Sequence, residues 1–143
     1  MSETVQIKTP WLASKDPEVP STLNYSTLSM CGRVEEMVRQ YPNYIAYEFM
    51  GKTTTYAEMW QKINACAKSL KAIGIREGDK VTICMPNAPQ TLCMFYAVNM
   101  VGAIANMVHP LSAESEISFY LRDSNSVPSH NTTLKLSPRG TVS

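Results

Sequence analysis

Apolar residues early in the chain fall at helical spacing: Val34, Met37, Val38 and Tyr41 line one face of a helix predicted over residues 30–41. Pro42 stops it, because proline has no amide to donate and its ring clashes with the preceding turn. The period then changes to two. Ile45, Tyr47 and Phe49 share one side of a strand predicted over 44–50, and Gly51-Lys52 supplies a turn into a second strand over 53–55. Thr55-Tyr56-Ala57-Glu58 is a capping box, in which hydroxyl and carboxylate each satisfy the other's orphan amide. The helix it opens carries Met59, Ile63, Cys66, Ala67, Leu70 and Ile73 inward and Lys62, Lys68 and Lys71 outward. Gly74 stands where a left-handed terminal residue is wanted.

After the Glu77-Gly78-Asp79 turn, the apolar run 81–85 suits a buried strand. Asn87 and Pro89 open a helix that is apolar nearly all round, through Leu92, Met94, Phe95, Tyr96, Val98, Met100 and Val101. Gly102 ends it, and 103–108 offers a second buried strand. Strand, helix and strand make a βαβ unit with a parallel pair. A last helix is predicted over 113–123, with Ser112 as N-cap, Glu114 and Glu116 in the positive first turn and Arg122 near the negative end. Ile117, Tyr120 and Leu121 are expected to face inward. The fold class is therefore α/β, a layered sheet with a βαβ unit.

Composition divides the chain into a Pro-containing arm at 1–29, a periodic body at 30–123 and a polar tail at 124–143. In that tail 12 of 20 residues are Ser, Thr, Asn or Pro, too polar for a buried face, so it is expected to be disordered. The whole chain has 143 residues, room for one domain of about 100–150. A formal net charge of +1 argues against a nucleic-acid surface or a polybasic membrane patch. No charged residue lies between Lys80 and Glu114, a stretch long enough to span a bilayer. Pro86, Asn87, Pro89, Gln90, Asn99, Gly102 and Asn106 break it into pieces of strand and helix length, so no transmembrane segment is expected.

Four cysteines, Cys31, Cys66, Cys84 and Cys93, form no C-x-x-C pair, which indicates neither a zinc site nor a disulfide framework. Without a basic stretch leading into an apolar core at the N-terminus, a cytoplasmic protein is expected. The nine methionines are read as core filler, and Cys84 and Cys93 as inert buried thiols. Asn131-Thr132-Thr133 matches a glycosylation acceptor by chance. His109 and His130 have no partner at triad or metal spacing; His109, just after a predicted strand, is read as shaping a turn. No glycine-rich phosphate loop is present. The residues thus expose no catalytic residue and no metal site.

The order of motifs resembles a known family. Tyr41-Pro42-Asn43-Tyr44-Ile45-Ala46, Thr54-Thr55-Tyr56-Ala57-Glu58-Met59, Gly74-Ile75-Arg76-Glu77-Gly78-Asp79-Lys80-Val81 and Val101-Gly102-Ala103-Ile104-Ala105-Asn106-Met107-Val108-His109-Pro110-Leu111 together resemble the N-terminal region of AMP-forming acyl-CoA synthetases. Pro10-Trp11-Leu12, with Pro20 further on, is similar to fatty-acyl-CoA ligases in particular. The resemblance implies a partial N-terminal subdomain of the adenylate-forming fold. It implies an enzyme that activates a carboxylic acid with ATP and Mg through an acyl-adenylate, then passes the acyl group to coenzyme A.

In that family the phosphate loop, the nucleotide contacts, the hinge and the C-terminal lysine lie beyond the matched region, so an inactive fragment is expected. Its apolar face would be open to self-association. The alternative is a non-catalytic binding or regulatory module that docks through an exposed sheet edge and apolar face.

Overall fold

A computed structural model describes residues 9–126. The arm holds one 3-10 turn, Pro10–Ser14, none of whose residues is buried. Helix α1, Met30–Gln40, starts where the Ser29 hydroxyl accepts from the Gly32 amide at 3.0 Å. It ends one residue before the predicted boundary, with Tyr41 as C-cap, since the residue ahead of a proline is driven out of helical geometry.

Strands β1, Ile45–Phe49, and β2, Lys52–Thr55, form the expected antiparallel hairpin. The turn is Met50-Gly51 rather than Gly51-Lys52. Both residues have positive φ, +51° and +76°, as the twist of a two-residue hairpin demands, which frees Lys52 to pair with Phe49. The register shifts between Ile45 and Tyr47, and Ile45 and Phe49 are left exposed.

Helix α2, Tyr56–Ala72, opens on the predicted capping box: the Glu58 amide donates to Thr55 Oγ1 at 3.3 Å and the Thr55 amide to Glu58 Oε2 at 2.8 Å. Its other end is a Schellman motif. Gly74, at φ +95°, lets its own amide donate to the Lys71 carbonyl and the Ile75 amide to the Leu70 carbonyl. Helix α3, Pro89–Val101, ends the same way, with Gly102 at φ +82° and the Ala103 amide on Val98.

Strands β3, Lys80–Cys84, and β4, Ile104–Val108, are parallel and flank α3, the βαβ unit expected. The Ile104 amide reaches the Asp79 carbonyl at 2.7 Å and the Gly78 amide reaches the Gly102 carbonyl at 2.9 Å, so the 77–79 turn sets the start of the ladder. Helix α4, Glu114–Asp123, begins one residue later than predicted. Ser112 is spent in a turn, its amide on the His109 carbonyl, and Ala113 is the N-cap, its amide donating to Glu116 Oε2 at 2.9 Å. Asn125, at φ +50°, closes α4 with the third Schellman motif.

The core lies where α2, α3 and β3 meet. Ile63, Ala97 and Val98 are fully buried and Ile83 nearly so, with Met59, Leu70, Val81, Met85, Cys93 and Val101 around them. Asn99 is a polar residue on an apolar helix; its Oδ1 accepts from the Cys31 amide at 3.0 Å and pins the start of α1 to α3.

Two expectations fail in part. The strand after Gly102 is buried only at its ends, Ala103 and Val108: Ile104 is 54% and Met107 50% exposed. No residue of α4 is fully buried: Ile117 and Leu121, expected inward, are half-buried, and Tyr120, expected with them, is 39% exposed. Both failures share a cause, because the apolar pattern marks positions that want cover and nothing among the described residues covers them fully.

Candidate functional site

The carboxyl ends of parallel strands are where open α/β sheets place ligand crevices. Here β3 and β4 end at Cys84 and Val108, and beside them lies an open groove of about 370 Å³, lined by Asn87, Ala88, Thr91, Leu92, Phe95, Tyr96 and Met107. Its floor is the amino-terminal half of α3. Phe95 and Tyr96 meet edge to face with centroids 5.5 Å apart. Its only polar side chains are Asn87, Thr91 and the Tyr96 hydroxyl. Thr91 is committed locally, its hydroxyl donating to the Pro86 carbonyl at 2.5 Å.

His109 sits just past the strand ends and is exposed. Its Nδ1 accepts from the Leu111 amide at 3.2 Å, so it shapes the turn into α4, as read from sequence. Cys84 Sγ faces the His109 carbonyl at 3.9 Å, too weak a contact to activate a thiol. On the opposite face of the sheet, Thr82 donates to Ser126 Oγ at 2.8 Å and accepts from Asn106 Nδ2 at 3.1 Å. Ser124 joins the same chain of hydroxyls, which ties the end of α4 back to β3.

Three of the thiols are poor nucleophiles. Burial pushes Cys93 up from its ordinary range; Cys66 rises for the same reason with a smaller push from Cys93, and Cys31 rises through burial and the Glu35 carboxylate. Cys66 Sγ instead packs 3.7 Å from Met94 Sδ between α2 and α3. Among the described residues no three His, Cys, Asp or Glu side chains come together to hold a metal ion. His130 and the Asn131-Thr132-Thr133 triplet lie outside the described residues.

The groove can therefore bind apolar matter and contribute a few hydrogen bonds. It offers no acid, base, nucleophile or cation for a phosphate, and these residues do not fit a triphosphate, Mg or the pyrophosphate of coenzyme A. Sequence periodicity placed Leu92, Phe95 and Tyr96 on one apolar helix but could not show that their face stays uncovered. The signal was present: a helix apolar all round needs neighbours on every side.

Residues 34–127 match the AMP-binding enzyme family, and the chain belongs to it. It is 29% identical over 119 residues to a long-chain-fatty-acid–CoA ligase of Bacillus subtilis, a match covering 83% of this chain and 21% of that protein. It is 43% identical over 72 residues to the Mycobacterium tuberculosis long-chain-fatty-acid–CoA ligase FadD13, covering 50% of this chain and 14% of that one.

The crystal structure of the N-terminal domain of FACL13 from Mycobacterium tuberculosis superposes with a TM-score of 0.66 at 34% identity, over 68% of this chain and 25% of that domain. The fold is that of the N-terminal subdomain of adenylate-forming enzymes, and this chain spans a fraction of it. No helix among the described residues is long and apolar enough to cross a membrane.

Proposed function

We propose that this chain forms one portion of the N-terminal domain of an AMP-forming ligase joining a fatty acid, or a related carboxylic acid, to coenzyme A. The observation that carries the reading is the family match over residues 34–127, which takes in every helix and strand from α1 to α4 except the first turn of α1. In the complete enzyme, ATP with Mg supplies the activation of the carboxylate and coenzyme A the accepting thiol. The residues here act as framework. The α2–α3 core holds β3 and β4 parallel, and residues 30–123 are the unit that contributes this framework, flanked by the arm at 1–29 and the tail at 124–143.

By itself the chain is inactive, for want of any charged group in its groove, and it self-associates weakly through its uncovered apolar surface. A cytoplasmic setting suits its free thiols, since the four cysteines are unpaired.

The test is a graft. Residues 34–123 replace the corresponding segment of the Mycobacterium tuberculosis ligase, and AMP release is followed with ATP, palmitate and coenzyme A. The graft is expected to release AMP dependent on all three, and the isolated chain none. A graft that keeps the parent's circular dichroism and melting transition but releases no AMP sinks the reading.

A further inference from the structure

Helix α4 is held at its two ends and hardly anywhere between. Among the described residues no helix or strand packs closely along it; Ile117 and Leu121 are half-buried, and Phe119 and Tyr120 stand in solvent. Its start is tethered to the end of β4 by a turn in which the Leu111 amide donates to His109 Nδ1 at 3.2 Å and the Ser112 amide to the His109 carbonyl at 3.1 Å. A helix of 10 residues does not stay helical alone in water, because below about 12–15 residues its bonds cannot offset the cost of nucleation. Docked, α4 is a helix; undocked, it melts.

The other end is fastened by hydroxyls. Asn106 Nδ2 donates to Thr82 Oγ1 at 3.1 Å, and Thr82 Oγ1 donates to Ser126 Oγ at 2.8 Å. The Ser126 and Ser124 hydroxyls lie 2.5 Å apart, and Ser124 Oγ donates to the Leu121 carbonyl at 3.3 Å. These partners fix the one bond whose direction is open: Thr82 uses its proton on Ser126 and Ser124 uses its own on Leu121, so Ser126 must donate to Ser124. Each hydroxyl then donates once and accepts once, along a single line from β4 through β3 into the last turn of α4. The Leu121 carbonyl also accepts the Ser126 amide, at 3.3 Å, so the line ends on a carbonyl that closes the helix. Thr82 is only 3% exposed, and a broken link beneath a closed α4 leaves its buried hydroxyl without an acceptor.

The pairing places Thr82, Asn106, Val108 and Ile104 on one face of the sheet, the face away from Ile83 and the core. Thr82 and Val108 are buried there, while Ile104 is half exposed.

We infer that residues 109–126 form a strap, hinged at His109–Ser112 and clasped to β3 through Ser126, which opens and melts as a unit while the α2–α3 core stays folded. Opening uncovers the Thr82 and Val108 face of the sheet, and closing covers it. None of this depends on the ligase reading.

Native-state amide exchange on the full chain tests it. The α4 amides are expected to exchange together and well before those of α2 and α3. Ser126→Ala cuts the line in its middle and should speed α4 exchange about fivefold or more, with α2 and α3 unchanged. The converse variant combines Thr82→Cys with Ser126→Cys, two positions whose side-chain oxygens already touch. Joined by oxidised glutathione, the pair should hold the strap shut and slow α4 exchange about tenfold or more, and reduction should restore fast exchange.

Exchange of α4 in step with α2 and α3 overturns the inference, because strap and core would then open as one. So does unchanged α4 exchange after Ser126→Ala, or the same α4 exchange with the cysteine pair joined and reduced.

Discussion

The two strands of the parallel pair meet different fates. In β3, Val81, Thr82 and Ile83 are buried one after another, between the α2–α3 core on one face and the Ser126 hydroxyl on the other. In β4, paired residue for residue with it, Ile104 and Met107 stand half in solvent, and α4 beyond buries no residue fully. Similar composition and mutual pairing give unequal burial, and since each strand is an edge of a two-stranded sheet, what packs on its faces decides the difference rather than intrinsic preference. Stability of the isolated chain should accordingly concentrate on the α2–α3–β3 side, leaving β4 and α4 as the part whose order depends on what covers them.

Core truncation gives the widest separation between the two sides. Ile63→Ala removes a side chain with no exposure and is expected to cost about 3 kcal/mol, whereas Met107→Ala should cost less than about 0.5 kcal/mol in the free chain. Urea denaturation of the two variants checks this, and similar losses would erase the distinction between the strands.

Next in size is the hinge between the two sides, the glycine that joins α3 to β4. Gly102 has φ +82°, and a Cβ there would lie 3.0 Å from Glu77 Cγ, so Gly102→Ala meets both backbone strain and a crowded neighbour. At Gly74, φ is +95° but no atom lies within 4 Å of the added carbon. Gly102→Ala should cost about 2 kcal/mol and Gly74→Ala about 1 kcal/mol, measured by the same denaturation. Equal costs would mean that Glu77 swings aside freely.

Much of this was legible along the chain because the signals are local. The capping box at Thr55 and Glu58, the glycines that end α2 and α3, and the change of period at Pro42 each involve residues within one turn of one another. What could not be read depends on distant residues. Asn99 looked like a break in an apolar stretch, and its role as acceptor for the Cys31 amide spans 68 positions. Of the inward face assigned to α4, Ile117 and Leu121 are half-buried but Tyr120 is exposed, because full cover needs a neighbour that periodicity cannot supply. The groove was missed for the same reason, since Leu92, Phe95 and Met107 are ordinary core residues until it is known that one side of them is left open among the described residues.

The helix starts provide the smallest test of the contrast and isolate local from tertiary stabilisation. At α2 the Thr55 amide, followed by its hydroxyl, donates to the Glu58 carboxylate and holds its pKa below the ordinary carboxylate range. A folded pKa below the unfolded one means that this contribution is complete above the unfolded value and fades as pH falls through the lowered one. Thr55→Ala should cost about 1 kcal/mol at neutral pH, and the gap from the parent should narrow in acid as Glu58 protonates.

At α4 only half of such a box exists, because Ala113 has no hydroxyl to return the bond. Ala113→Ser completes it and should slow amide exchange in the first turn of α4, while shifting global stability by less than about 0.5 kcal/mol. The reasoning is that a cap stabilises the whole fold only through the packing its helix shares. Helix α2 shares Met59, Ile63, Ala67 and Leu70 with the core, and α4 shares none. A global gain at Ala113→Ser as large as the loss at Thr55→Ala would show that α4 unfolds together with the core, and that the exposed side of the molecule is energetically joined to the buried one.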